Sequence, residues 1–313
     1  MKNFKDINRL LIVLSVRLFK FYISLFSYRS AAIFLLLPFT CFGQDYRVPK
    51  GENAEYRSGY VFKFNEIRKV SDWVGYTITS ADVQGNEVAS PSFFKDSTIA
   101  SCPNSKDYYL YRYSEGRLKP PSAARNSSKE MKAVNNYVNV APMDLAFDNG
   151  VWRILENLVS GWALVFDSVH VVTGPIFNKK EPDVIGENKV NVPDFFFKVV
   201  MVYNGMDMAS IGFIIPNRED ANSFKKYSMP VDSVEFKTGY DFFSELPDYL
   251  EFYMEERIDV VVWKDKSMSY RLKSRYESMG RCIAALKSKY RCPVLTNCVT
   301  RNCWKHGCDV KEK

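Results

Sequence analysis

Histidine is scarce in this chain. Two occur in 313 residues, His170 and His306, so any imidazole chemistry rests on those two positions. No internal repeat is present, and 15 Gly with 14 Pro are too few for a collagen-like or low-complexity chain. The longest uninterrupted apolar run, residues 31–42, is only twelve residues long and too short to span a bilayer. The seven cysteines include no CxxC pair, which leaves poor ligand spacing for the common structural zinc sites. What is abundant is apolar and aromatic mass. At 46% hydrophobic residues, with 23 Phe and 19 Tyr, the sequence supports a packed globular body with one large core or two ordinary ones.

The net charge of +7 is unevenly placed. Lys2, Lys5, Arg9, Arg17, Lys20 and Arg29 face Asp6 alone at the N-terminus, and thirteen Lys or Arg after Trp263 face only Asp265, Glu277, Asp309 and Glu312. The body between them is therefore net negative, and any field that attracts phosphate belongs to the tail. A solvated basic face is the plainer reading of those tail residues.

Residues 1–43 read as a targeting segment: a basic lead, the apolar run at 31–42 and a small residue, Gly43, before polar Gln44. Three readings stay open. A cleaved secretory signal implies a secreted or periplasmic protein, an uncleaved anchor over residues 8–42 implies membrane attachment, and a basic, nearly acid-free leader also suits a mitochondrial presequence. Removing Cys41 with a signal leaves six cysteines, Cys102, Cys282, Cys292, Cys298, Cys303 and Cys308, an even set expected to form disulfides in an oxidising compartment.

Short aromatic and β-branched runs predict strands at GYVFKF, WVGYTIT, YYLYRY, VNNYVNV, VHVVTGPIF, DFFFKVVMVY and IGFIIP. Between them, Trp152, Leu155, Val159 and Trp162 recur at helical spacing and predict a helix over 148–166, with Asp148 or Asn149 available as its N-cap. Residues 233–249 predict a short helix, a turn at Gly239 and a Leu-Pro close. IDVVVW reads as an edge strand, followed by a basic helix around 272–290 and the Cys-rich end. The expected organisation is residues 1–43 as leader, 44–255 as body and 256–313 as a basic tail.

The strings YSEGRLKPPSAA, NYVNVAPMDLAFDNGVWRILE, VVTGPIFN, VPDFFFKVV, FIIPN and VEFKTGYDFF occur in an order and spacing that resembles the DNA/RNA non-specific endonucleases, the ββα-metal nucleases that include endonuclease G. The resemblance covers roughly residues 58–250. It implies an α+β fold with a central, mostly antiparallel sheet flanked by helices, metal-dependent phosphodiester hydrolysis with Mg2+ or Mn2+, DNA or RNA as partner, and often a homodimer.

Residue by residue, the resemblance also implies what has changed. The family pattern Asp-Arg-Gly-His-Leu-x-Pro falls on Ser114, Glu115, Gly116, Arg117, Leu118, Lys119 and Pro120. The general-base His is Arg117, which keeps its proton near neutral pH. The phosphate-binding Arg before it is Glu115, a reversal of charge. The metal-binding Asn is Asp148, eight residues before the helix Glu, Glu156; two helical turns put both carboxylates towards one cleft, where they suit a hard cation. A second phosphate-binding Arg is Ser160. Asn139, Pro142, Trp152, Gly174, Pro175, Pro193, Lys198, Pro216, Asn217, Thr238 and Gly239 match family positions, Asn139 being a candidate substrate contact and the rest largely scaffold. His170, in a strand run, and His306, in the tail, read as structural. The expectation is a nuclease scaffold with hydrolysis reduced or lost. The alternatives are an active endonuclease of altered chemistry, or a binding or adhesion module that meets a protein partner through its tail.

Overall fold

Alternation on a period of two builds the centre of the molecule. In the computed structural model, which describes residues 45–263 apart from 109–111, 205–206, 220–223 and 260–261, the strands are β1 Glu55–Arg57, β2 Tyr60–Asn65, β3 Val70–Thr79, β4 Tyr113–Arg117, β5 Val140–Asp144, β6 Ser168–Ile176, β7 Val184–Ile185, β8 Val190–Asn191, β9 Phe195–Tyr203, β10 Met208–Pro216 and β11 Ser228–Met229. Seven of them form one sheet in the order β1-β2-β3-β6-β9-β10-β11, with every neighbouring pair antiparallel. β9 shows why its sequence is almost wholly apolar. Phe196, Val200 and Val202 enter one core, whereas Phe197, Val199 and Met201 enter another on the opposite face. Both faces are covered, so neither can be polar.

The helix Arg153–Phe166 lies on the first face, burying Leu155, Val159, Trp162 and Phe166 at the predicted spacing. The helices Val231–Thr238 and Asp248–Glu255 contribute Val231, Val234 and Met254 to the second core. Gly239 ends the first of these helices at φ 77°, a left-handed cap that glycine adopts without steric cost.

Some predicted elements change. VNNYVNV is not one strand: a helix occupies Ser128–Ala133, Asn136 caps a tight turn over Tyr137–Asn139, and β5 starts only at Val140. The Asn136 side chain accepts the Val138 amide proton at 3.2 Å, an alternative to ladder pairing that asparagine offers readily. Within YYLYRY, Tyr108 ends a short turn and Tyr113 opens β4, residues 109–111 lying outside the described residues. In IDVVVW, Val262 and Trp263 are helical, with the Asp259 carboxylate accepting from Val262 N–H at 3.1 Å. Trp263 is buried, and its indole donates to the Ser210 carbonyl at 3.1 Å, so the packed body continues past Glu255. The leader, the basic helix, His306 and the five tail cysteines Cys282, Cys292, Cys298, Cys303 and Cys308 lie outside the described residues. Cys102 is buried and has no disulfide partner among the described residues.

Candidate active site

The motif strand β4 pairs with β5 as a separate two-stranded ribbon, and the chain then turns into the helix Arg153–Phe166, giving a strand-strand-helix unit. Gly116 lies opposite Ala141; a Cβ there would sit 2.2 Å from Met143 Cγ, so a larger residue would have to displace the buried Met143 side chain. Glu115 and Arg117, two residues apart, share one ribbon face.

Arg117 is clamped. Its Nε and Nη2 donate to Asn135 Oδ1 at 3.0 and 2.8 Å, and its guanidinium lies 4.3 Å from the Phe93 ring centre. Asn135 is itself fixed, because its Nδ2 donates to the carbonyls of Ser90 and Ser92 at 2.6 and 3.1 Å. Burial disfavours the Arg117 charge, while Asp148, Glu115 and Glu156 favour it. A guanidinium in this setting stays protonated and cannot accept a proton from water. Glu115 Oε1 accepts the Tyr137 hydroxyl proton; burial first, and this contact with Glu115 second, raise the tyrosine's pKa.

The two candidate metal ligands lie within electrostatic reach of Arg117. Asp148 lies in a wide helical turn, Asp148–Trp152, kinked at Gly150, and its Oδ2 accepts from Ser114 Oγ at 2.7 Å. It is not the N-cap. Asp144 caps only the short turn Leu145–Phe147 before the kink, its Oδ1 accepting from Ala146 N–H and Phe147 N–H at 3.0 and 3.4 Å, and the long helix starts after Trp152 with no side-chain cap. Asp148 is thereby left with a side chain turned to the ribbon.

Glu156 is half-buried on the long helix. Burial raises its pKa, Lys198 opposes that, and the Asp148 charge raises it further. Lys198 is fully buried in β9, with its ammonium 4.3 Å from the Trp152 ring centre and 3.5 Å from the Tyr76 hydroxyl. Burial lowers its pKa and Glu156 supports its charge. Two hard carboxylate donors, with the Asp148 charge raising the proton affinity of Glu156, suit a divalent cation that keeps several waters.

Two candidate contacts lie in the scaffold instead. Asn139 is fully buried: its Oδ1 accepts from Lys119 N–H at 2.7 Å, and its Nδ2 donates to the carbonyls of Lys119 and Val134 at 2.9 Å each. With both ends of the amide committed to backbone, it staples the loop after β4 and has nothing left for a substrate. Ser160 is 4% exposed, its hydroxyl 3.2 Å from Ser122 Oγ. His170 cannot replace the missing base. It pairs with Met201, on the sheet face opposite Lys198, takes a 3.0 Å contact between Nδ1 and Thr77 Oγ1, and is pushed down to about 4, mainly by burial.

The family model for DNA/RNA non-specific endonuclease matches residues 39–249. The chain belongs to the DNA/RNA non-specific endonuclease family. Relatives at the sequence level include a nuclease of Syncephalastrum racemosum, 26% identical over 214 residues that make up 61% of this chain and 67% of that protein. Mitochondrial endonuclease G of Bos taurus is 26% identical over 209 residues, 62% of this chain and 70% of its own length. Among solved structures, the complex of EndoG with EndoGI superposes with a TM-score of 0.60 at 23% identity, covering 65% of this chain and 91% of that one, which supports the ββα-metal nuclease fold. Membership in this nuclease family makes a divalent metal the expected cofactor class and nucleic acid the expected ligand class. Among the described residues, no helix is long and apolar enough to cross a membrane.

Asn135, Phe93 and Tyr137 were not singled out by sequence, although they hold Arg117 and Glu115 in place. Lys198 carried a visible signal, a lone cation inside the apolar run FFFKVV.

Proposed function

We propose that this chain is an exported member of the endonuclease family that keeps a divalent-cation cleft and has lost most of its phosphodiester hydrolysis. The observation that carries the reading is the Arg117 guanidinium, bonded through Nε and Nη2 to Asn135 at the position of the general base. Asp148 and Glu156 would hold Mg2+ or Mn2+, with Ser114 orienting the aspartate. Such an ion would supply charge stabilisation for the transferring phosphate and its leaving oxygen. Around it, Glu115 repels a phosphodiester, Ser160 offers no charge, and Lys198 lies beneath Trp152, out of reach of solvent. Nucleic acid would be drawn mainly by the basic residues after Trp263, in a salt-dependent, sequence-independent manner. Export is supported by the basic lead and apolar run of residues 1–43.

A second reading, an active endonuclease of altered chemistry, is favoured by one feature. Arg117 keeps a positive charge within electrostatic reach of Asp148 and Glu156, where it would stabilise developing phosphate charge. The separating experiment is cleavage of plasmid DNA and of RNA by the purified chain with Mg2+ or Mn2+, against a chelator control. No metal-dependent cleavage supports the first reading; robust cleavage supports the second.

A further inference from the structure

The two helices over the second core bring like charges together. Asp232 and Glu235, on Val231–Thr238, and Glu255, at the end of Asp248–Glu255, each offer a carboxylate oxygen, and these oxygens lie within 4.8 Å of one another. Glu255 is 4% exposed, and its Oε1 is buried with no hydrogen-bond partner. Lys50 Nζ bonds to Asp241 at 2.9 Å and Arg257 lies 4.0 Å from the centre of the Tyr253 ring, and neither forms an ion pair with these three carboxylates. Burying an unpaired carboxylate beside two others is costly unless a proton or a cation neutralises it.

We propose that Asp232, Glu235 and Glu255 form a second divalent-cation site, of the hard, oxygen-liganded kind that takes Ca2+. It is separate from the Asp148–Glu156 cleft, since its helices pack on the opposite face of the sheet. Carboxylate oxygens this close can all reach one cation, and a mixed exposed and buried set of three suits Ca2+, which takes six to eight oxygens in flexible geometry, better than the near-ideal octahedron that Mg2+ demands. Asp232 is exposed, which gives the ion a path from solvent and room for waters, while Glu235 is steadied by accepting Phe242 N–H at 2.6 Å through Oε1. Without an ion, burial and then the charges of Glu235, Glu251, Asp232 and Asp241 push the Glu255 carboxyl up to about 10.

The consequence is mechanical. The Met254 carbonyl already accepts the Ser210 hydroxyl of β10 at 2.8 Å, so an ion at Glu255 would fasten both helices to the sheet just before the segment that leads into the basic tail.

The test uses the full chain carrying Asp148→Ala, which weakens the first site, with Ca2+ and separately Mn2+ as probes. Calorimetry should show saturable Ca2+ binding that falls at least tenfold in Asp232→Asn and in Glu255→Gln. At about 100 times its Kd, Ca2+ should raise the melting temperature by about 5 °C, a shift lost in both variants. Asp232→Asn is a surface change that preserves folding, and it keeps the test decisive should Glu255→Gln fold poorly. Absence of saturable binding in the Asp148→Ala chain, or equal Ca2+ affinity in all three proteins, would overturn the proposal and leave Glu255 as a buried neutral acid.

Discussion

Arg117→His should restore hydrolysis, and the structure shows what the substitution must overcome. The arginine's two hydrogen bonds to Asn135 Oδ1 vanish with it. Asn135 is 2% exposed, and a buried acceptor left without a donor costs about 1–3 kcal/mol. An imidazole can return part of that by donating one ring N–H to the same oxygen, which would also fix its tautomer and leave the other nitrogen free as a base. General-base catalysis contributes about 10²–10⁴-fold, roughly 3–5 kcal/mol of barrier. Glu115 opposes the gain: at about 6 Å and an effective dielectric of about 20, a like-charged phosphate is repelled by roughly 3 kcal/mol. Adding Glu115→Arg should therefore raise cleavage further. Ser160→Arg should be avoided, because a guanidinium forced into a site 4% exposed is an unpaired buried charge. The assay is single-turnover cleavage of a labelled duplex with Mn2+, scored for Arg117→His alone and with Glu115→Arg, after circular dichroism shows both folded. The expected result is at least a hundredfold gain for the pair, lost when Asn135→Ala is added. If every folded variant cleaves no faster than the parent, either the motif alignment or the intact cleft is wrong.

Asp148→Ala should weaken Mn2+ binding in calorimetry with little change in melting temperature, whereas Asp144→Ala should cost about 0.5–2 kcal/mol of stability and leave Mn2+ affinity alone, since Asp144 caps the short turn Leu145–Phe147. His170 is depressed to about 4 from an ordinary 6.5, so its neutral form contributes stability above about pH 6.5 that is lost as the pH falls towards 4. His170→Gln should flatten that acid loss, which amounts to at most about 3 kcal/mol in urea titrations between pH 7 and 4. The Cys102 thiol is buried and pushed up to about 11. Its peptide should therefore stay unmodified by iodoacetamide in the native protein at neutral pH and become labelled after denaturation and reduction.

The sheet and the long helix were legible because burial imposes a period. Trp152, Leu155, Val159 and Trp162 fall on one helical stripe, and β9 is apolar on both faces because both faces are covered. The tight turn before β5 was hidden, since Asn136 competes with the ladder through its own side chain, which apolar patterning does not register. In the site, the substitutions at 115, 117 and 160 were readable from the motif, but their surroundings were not. Whether Asn139 faces substrate or backbone depends on Lys119 and Val134, near in space and indistinct in sequence. The kink at Gly150, which leaves Asp144 capping a short turn and the long helix without a side-chain cap, likewise depends on backbone geometry that the two nearby aspartates do not reveal.

A cation cleft without a working base is tested most directly by metal-dependent phosphodiester cleavage by the purified wild-type chain. Plasmid DNA and RNA would be incubated with saturating Mn2+, beside a chelator control and the Asp148→Ala variant, while Mn2+ binding is measured on the same preparations. Mn2+ should bind wild type and bind Asp148→Ala more weakly, with no cleavage above the chelator control. Chelator-sensitive cleavage by wild type that disappears in Asp148→Ala would contradict that expectation, and would show that this cleft hydrolyses nucleic acid with Arg117 in place.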